Sequence, residues 1–399
     1  MKLPETLTYD DVTLAPAYSE LTSRSNANPE MHDHSLPIIG SCMDTLGVKM
    51  MEYLISNNVP FIAHRAFKSA EEQYNYFLGN ITINDNDNKL KNLWFAVGSS
   101  QKYSEWIDYL IDHGVRQFCV DMAHGDSKAC VDTIKYIKDK LKYDTLNSSG
   151  LIPGQKLHII AGNVATKEGF KRLQAAGANG IRVGIASGQI CSTNIETAMG
   201  LPILTSIIEC NKVRKKGVWI IADGGVRSTG DIVKAVYFGA DYCMIGKLLA
   251  ATDLACGGCY NKDKKELDPN ELFGCVFKHQ IEDKLNEAKE LEKVNNNVNF
   301  QNTVLNNIVY YRGYHGMASR AARANILGYA SVEGVEGLIA AGETTEQFIK
   351  DTKLRLQSSL SYAGARNWDE FKKRAKPYKR SNAGILAADV HLDVITKYH

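Results

Sequence analysis

Short apolar runs rich in β-branched residues alternate along the chain with longer stretches whose apolar positions recur every three or four residues. The short runs are LPIIGS at 36–41, VPFIAH at 59–64, LWFAVG at 93–98, QFCVDMAHG at 117–125, LHIIAGNV at 157–164, GIRVGIA at 180–186, VWIIADGG at 218–225 and YCMIGK at 242–247. Runs that are apolar on consecutive positions, rather than alternate ones, predict strands covered on both faces. Between them SEWIDYLIDHG (104–114), KEGFKRLQAAG (167–177) and TGDIVKAVYFG (229–239) predict amphipathic helices, each closing on a glycine suited to the position just past a helix end. Glycines and polar residues gather at the ends of nearly all the predicted strands. Eight such strands spaced by helices predict an α/β fold, a (β/α)8 TIM barrel, with its chemistry at the strand C-termini. A doubly wound open sheet would confine those polar ends to one switch point and place GxGxxG after its first strand, and no such motif is present.

Two segments break the alternation. Residues 257–308, rich in Lys, Glu and Asn, are expected to leave the catalytic face as an excursion, helical in the middle and loop-like at the end. From about Asn367 a tail is expected to wrap the outside or reach a neighbouring subunit, so the predicted division is a barrel domain over 1–366 and a tail over 367–399.

Composition narrows the function. A chain of 399 residues with 44% hydrophobic content can bury a substantial core. Its 47 Lys and Arg are scattered among 45 acids for a net charge of +2, which argues against nucleic acid and membrane surfaces as principal partners. The opening MKLPETLTYDDVTLAP has no apolar targeting core, and no run approaches the roughly 18 apolar residues of a spanning helix, so a cytoplasmic location is expected. Nine dispersed cysteines argue against a disulfide framework. CGGC at 256–259, with Cys275 and His279 beyond it, has part of a zinc spacing but no second close pair, and reads as a glycine-rich loop with incidental thiols.

The chemistry gathers in three places. GIASGQICST (184–193) sets Cys191 between a glycine-rich turn and a Ser-Thr pair, where backbone amides can receive an anion and lower a thiol pKa. Nucleophile and metal ligand are the choices, and the absence of a nearby histidine favours the nucleophile. After the seventh strand come Asp223, Gly224 and Gly225, and after the eighth Gly246 and Lys247. Loops at those two places are the usual phosphate site of such barrels. A thiol nucleophile, a diol-binding carboxylate and a phosphate cradle together point to a nucleotide attacked at its base.

In order, YDDVTLAPAYSELTSRS, GSCMDT, VDMAHGDS, IIAGNVAT, VGIASGQICST, IIADGGVRSTGDIVKA, MIGKLLA and YHGMAS resemble the IMP dehydrogenase / GMP reductase family along most of the chain. The resemblance implies a (β/α)8 barrel in which Cys191 bonds covalently to purine C2. It places Ser41 and Met43 at ribose and base, Asn163 beside the nucleophile, and Asp223 on the ribose hydroxyls. Around the phosphate it places Gly188, Gln189, Gly224, Gly225, Gly246, Lys247 and Tyr314, with Gly316 and Met317 reading the purine. Asp121, His64, Arg65 and Ser99 fall to the nicotinamide side, and Thr193 and Glu333 to proton handling. A plain alternative for His64 and Arg65 is a surface pair near a strand end.

The same resemblance implies NADPH, a purine mononucleotide (GMP or IMP), a homotetramer, and a monovalent cation such as K+ on the carbonyls of Gly184, Ala186 and Cys191. This chain departs from the family at Ala186, where glycine is usual, at Gln189, where serine or lysine is usual, and at Lys247, where serine is usual. The segment from Ser319 to Glu333 is short and has no Arg-Tyr pair, and only 26 residues separate Phe67 from Trp94, too few for a regulatory CBS pair. With AHRAF and LQSSLSYAG, these features favour GMP reductase of the bacterial type. An IMP dehydrogenase without CBS domains and a reductase of another purine nucleotide are the alternatives.

Overall fold

The computed structural model describes residues 3–79, 88–99, 102–144, 156–188, 192–294, 299–316 and 335–386. A short strand β1 (Val12–Ala15) leads into eight parallel strands: β2 (Ile38–Gly40), β3 (Phe61–Ala63), β4 (Leu93–Val97), β5 (Gln117–Asp121), β6 (His158–Val164), β7 (Gly180–Val183), β8 (Trp219–Asp223) and β9 (Tyr242–Ile245). β9 pairs back onto β2 through Ile38↔Cys243, Ile39↔Met244 and Gly40↔Ile245, which closes the (β/α)8 barrel. Each of the eight barrel strands lies within one of the predicted runs.

The consecutive apolar positions are explained by two cores that share the strands. On β4, Leu93, Phe95 and Val97 join the core between barrel and helices. Trp94 and Ala96 point inward to meet Ile39, Ile62, Cys119, Ile160, Ile221 and Met244. Alternate side chains thus reach opposite faces, and both faces are dry. At the N-terminal end of the barrel His158 lies tilted against Trp219 with ring centroids 4.3 Å apart, and Trp94 Nε1 donates to His158 Nδ1 at 3.1 Å. Burial lowers the His158 pKa to about 4, so the ring accepts that bond as a neutral imidazole.

Helices Ala70–Leu78, Lys167–Ala176, Thr229–Phe238 and Thr345–Tyr362 open on Ser69, Thr166, Ser228 and Thr344, whose side chains accept from Glu72, Gly169, Asp231 and Gln347 amides. A cap of this kind contributes about 1 kcal/mol. Gly177, at φ +111, ends its helix in the left-handed region as the pattern predicts.

Beyond β9 the excursion builds its own small layer. β10 (Cys259–Tyr260), β11 (Tyr311–His315) and β12 (Glu336–Ala340) form an antiparallel sheet, and helices Ile281–Val294 and Phe300–Asn306 lie between β10 and β11. The end of the excursion, expected to be loop-like, is therefore partly helical. Asn299 caps the second helix by accepting from the Asn302 amide, Gln301 donates to Glu292, and Val304 is buried with Val276 and Ala288. Those contacts outweigh the poor helix propensity of an Asn-rich sequence. In the tail, Trp368 and Phe371 are buried, and β13 (Lys376–Lys379) pairs antiparallel with β1. Among the described residues no helix is long and apolar enough to cross a membrane.

Candidate functional site

The strand C-termini deliver an ionic network into the mouth of the barrel. Arg182, on β7, donates through Nε and Nη2 to Asp223 Oδ2 at 2.9 and 2.7 Å, and through Nη1 to Asp121 Oδ1. Arg65 reaches Asp121 from the other side, Nε to Oδ2 at 3.1 Å, and its Nη1 donates to Tyr103 Oη at 2.9 Å. Asn163 Nδ2 bridges Gly184 O at 2.7 Å and Asp223 Oδ2 at 2.8 Å. Burial alone would raise the Asp121 pKa, but the charges of Arg182 and Arg65 outweigh it and hold the carboxyl at about 2. Three donors converge on Asp223 Oδ2, while Oδ1 takes no hydrogen bond from the described residues.

A second cluster forms where β2, β9 and β11 end. A Cβ on Gly246 would lie 2.8 Å from Met43 Sδ, 3.0 Å from Tyr314 Oη and 3.7 Å from Ser41 Cβ, so the absence of a side chain there keeps these groups together. Tyr314 Oη itself is 3.6 Å from Met43 Sδ. The loops after β7 and β8 are equally close. A Cβ on Gly184 would meet Asp223 O at 2.1 Å, and one on Gly224 would meet the Gly188 amide at 2.8 Å. Beside them lies a cavity of about 340 Å³ whose lining includes Tyr9, Asp10, Ser187, Pro202, Gly225 and Arg227. Tyr9 Oη and Ser187 Oγ are buried without a hydrogen-bond partner among the described residues.

The structure thus brings together Ser41, Met43, Gly246 and Tyr314 as one group, and Asp121, Arg65, Asn163 and Asp223 as another. Gly188, Gly224 and Gly225 lie where the β7 and β8 loops meet. Lys247 starts the short helix Lys247–Ala250, Thr193 opens the helix Thr193–Thr197, Gly316 follows β11, and Ser99 Oγ lies 3.0 Å from Met122 Sδ. Gln189, Cys191, Met317 and Glu333 lie outside the described residues. His64 and Arg65 are not a surface pair. The His64 ring is 4% exposed, stacked on Phe67 at 4.7 Å, and burial lowers its pKa to about 4.

Sequence reasoning overlooked Arg182, although a charged residue inside the buried run GIRVGIA was itself a signal, because a buried charge requires a partner. It also overlooked the pair between Asp44, after β2, and His315, on β11, whose Nε2 lies 2.8 Å from Asp44 Oδ1. The hydrogen bond to Asp44 raises the His315 pKa, and the pair ties the sheet of β11 to the barrel rim.

Residues 6–290 and 299–391 match the family model described as IMP dehydrogenase / GMP reductase domain. A GMP reductase of Leishmania major is 31% identical over 300 residues, covering 74% of this chain and 51% of that protein. An inosine-5′-monophosphate dehydrogenase of Chlorobaculum parvum is 30% identical over 317 residues, covering 76% and 53%. The chain thus spans about half the length of these relatives. A GMP reductase of Ligilactobacillus salivarius is 32% identical over 283 residues, covering 68% of this chain and 79% of that protein. The crystal structure of a GMP reductase from Trypanosoma brucei in complex with guanosine 5′-monophosphate superposes with a TM-score of 0.75, at 21% identity and over 98% of this chain and 99% of that one, a likeness of fold.

Proposed function

The chain belongs to the IMP dehydrogenase / GMP reductase family, and from that membership we propose that it is a GMP reductase, releasing the 2-amino group of GMP as ammonia and reducing the purine to IMP with NADPH. The observation that carries this reading is the segment from Ser319 to Glu333, which has no Arg-Tyr pair to activate water. Without such a group a covalent adduct at C2 is not turned over by hydrolysis. The short connection from β3 to β4 and the relatives named GMP reductase support the same branch.

In this reading the ribose hydroxyls bond to Asp223 Oδ1, because Oδ2 is already held by Arg182 and Asn163. The phosphate sits against the Gly188, Gly225 and Gly246 backbone with Gln189, Lys247 and the Tyr314 hydroxyl. Ser41 and Met43 border ribose and base, and Gly316 and Met317 read the purine edge. The Cys191 thiolate attacks C2. As the C2–N2 bond breaks, the nitrogen takes protons relayed through Thr193 from Glu333, since an amide ion is too poor a leaving group at neutral pH. Ser99, Arg65 and Asp121, polar groups bordered by Met122, suit the amide-bearing ring of a nicotinamide and would hold it, while His64 next to Arg65 packs its ring among Phe67, Tyr76 and Phe77. NADPH, when bound, supplies the hydride. The S–C2 bond then breaks, and the thiolate returns with its electron pair. Of the three carbonyls named for K+, that of Gly184 already accepts from Asn163, and no step here uses a cation.

The test is to incubate the protein with GMP plus NADPH, following reduced-nicotinamide absorbance and ammonia, and separately with IMP plus NAD. Ammonia and IMP are expected from the first mixture and little XMP from the second. Cys191→Ala should still bind GMP while losing roughly four orders of magnitude in turnover. The relative named IMP dehydrogenase at similar identity keeps the dehydrogenase as the second reading. Steady XMP formation with no ammonia from GMP would establish it instead.

A further inference from the structure

The cysteines of CGGC do not share a site. Cys256 Sγ lies 3.9 Å from Tyr76 Oη, whereas Cys259 is buried in the small core under the antiparallel sheet with Leu267 and Val309. In the sheet register Cys259 stands opposite Arg312. The Arg312 side chain runs inward, and the residue is 2% exposed. Its Nη1 is 2.8 Å from Cys259 Sγ, its Nη2 donates to Ala255 O, and its Cζ is 5.4 Å from the centre of the Phe277 ring. Among the described residues no carboxylate forms an ion pair with Arg312, and its Nε has no partner. A buried guanidinium without a carboxylate needs another anion, and the atom in contact with it is a sulfur. On the far side Cys275, partly exposed, packs against the same small core as Cys259, with its Sγ 4.0 Å from Leu267 O.

We propose that Cys259 and Cys275 form a peroxide-reactive dithiol, in which Cys259 is the attacking thiolate held against Arg312 and Cys275 is the thiol that resolves it to a disulfide. Other thiols differ from Cys259 in a way that fits this assignment. Burial pushes Cys42, Cys119, Cys130, Cys210 and Cys243 up. The hydrogen bond from Cys275 and the charge of Arg312 bring Cys259 down to about 7 against its burial, while Cys275 is held as the thiol.

The oxidant is a hydroperoxide. Cys259 sulfur attacks its terminal oxygen, the O–O bond breaks, and the departing alkoxide or hydroxide takes a proton from water, leaving a sulfenic acid on Cys259. Cys275 sulfur then attacks that sulfenic sulfur, the S–O bond breaks, and the hydroxide leaves as water with the Cys275 proton. Two thiols are oxidised by two electrons, and one hydroperoxide is reduced to an alcohol or water. A dithiol reductant reverses the product.

The experiment treats the reduced full-length protein with hydrogen peroxide near neutral pH, blocks the remaining thiols and maps disulfides by peptide mass spectrometry. A Cys259–Cys275 link that dithiothreitol removes is expected, and Cys275→Ser should instead accumulate a dimedone-trappable sulfenic acid on Cys259. Arg312→Met should slow oxidation of Cys259 at least tenfold at pH 7. In case that variant does not fold, the wild-type pH profile of Cys259 alkylation by iodoacetamide serves, with half-maximal rate near pH 7. Oxidation that spares Cys259, a link through Cys256, or an alkylation profile rising only above the ordinary thiol range near 8.5 would overturn the proposal.

Discussion

Replacing Arg182 with methionine keeps most of the side-chain volume and removes the charge that joins Asp121 to Asp223. The Arg182 side chain is 8% exposed and both carboxylates are 16% exposed, so neither acid can be rescued fully by water. Breaking a buried pair from one side costs about 3–5 kcal/mol, because the remaining charge is left unpaired. A separate route gives a compatible figure. Holding Asp121 at about 2 against the ordinary 3.8 is worth about 2.5 kcal/mol, a contribution that Arg182 shares with Arg65. The lost pair with Asp223 adds to that share, and a total of about 3–4 kcal/mol follows. With an unfolding entropy of about 2.1 cal/mol/K per residue, a chain of 399 residues should melt about 4–5 °C lower. The folded Asp121 pKa is depressed, so its stabilisation is present above its ordinary value of 3.8 and is lost as pH falls toward 2. The difference between wild type and Arg182→Met should therefore shrink as melts are repeated from pH 6 down to pH 2.5. Adding Asp223→Asn to Arg182→Met should recover part of the loss, since Arg65 still neutralises Asp121 and the unpaired charge on Asp223 is gone. Melting within about 1 °C of wild type at pH 7 would refute the argument, and so would a gap that does not change with pH.

Gly184→Ala should destabilise the protein by at least about 2 kcal/mol in a thermal melt, because the new Cβ would meet Asp223 O at 2.1 Å in a backbone at φ +142, and an unchanged melt would contradict the close approach of the two loops. Tyr314→Phe should raise the KM for the nucleotide roughly tenfold with kcat held, the loss of about 1.5 kcal/mol from one hydrogen bond to a charged phosphate, and an unchanged KM would remove Tyr314 from that role. Because the His315 pKa is raised, its bond to Asp44 stabilises the fold fully below the ordinary 6.5 and loses that effect as pH rises through the raised value. Asp44→Asn should bring the His315 titration down, as read by NMR, and remove this part of the pH dependence of stability.

Much of this protein was legible in its sequence for a physical reason. A strand buried on both faces must be apolar at consecutive positions, so LWFAVG and VWIIADGG announced barrel strands, and their polar ends announced the rim where Asp223 and Gly225 stand. Helices capped by Ser or Thr and closed by glycine were equally local, as Thr166 and Gly177 show. What the sequence left undecided depends on residues brought together from far apart. Arg182 finds Asp121 and Asp223 at separations of 61 and 41 residues, and β1 finds β13 across nearly the whole chain. The ring of His64 is enclosed by Phe67 and Phe77, and Cys259 meets Arg312 across a sheet whose strands are short and not marked by composition. Local pattern reports which face of an element is dry; only the packed fold decides which charge neutralises which, because that pairing is set by distance in space and not along the chain.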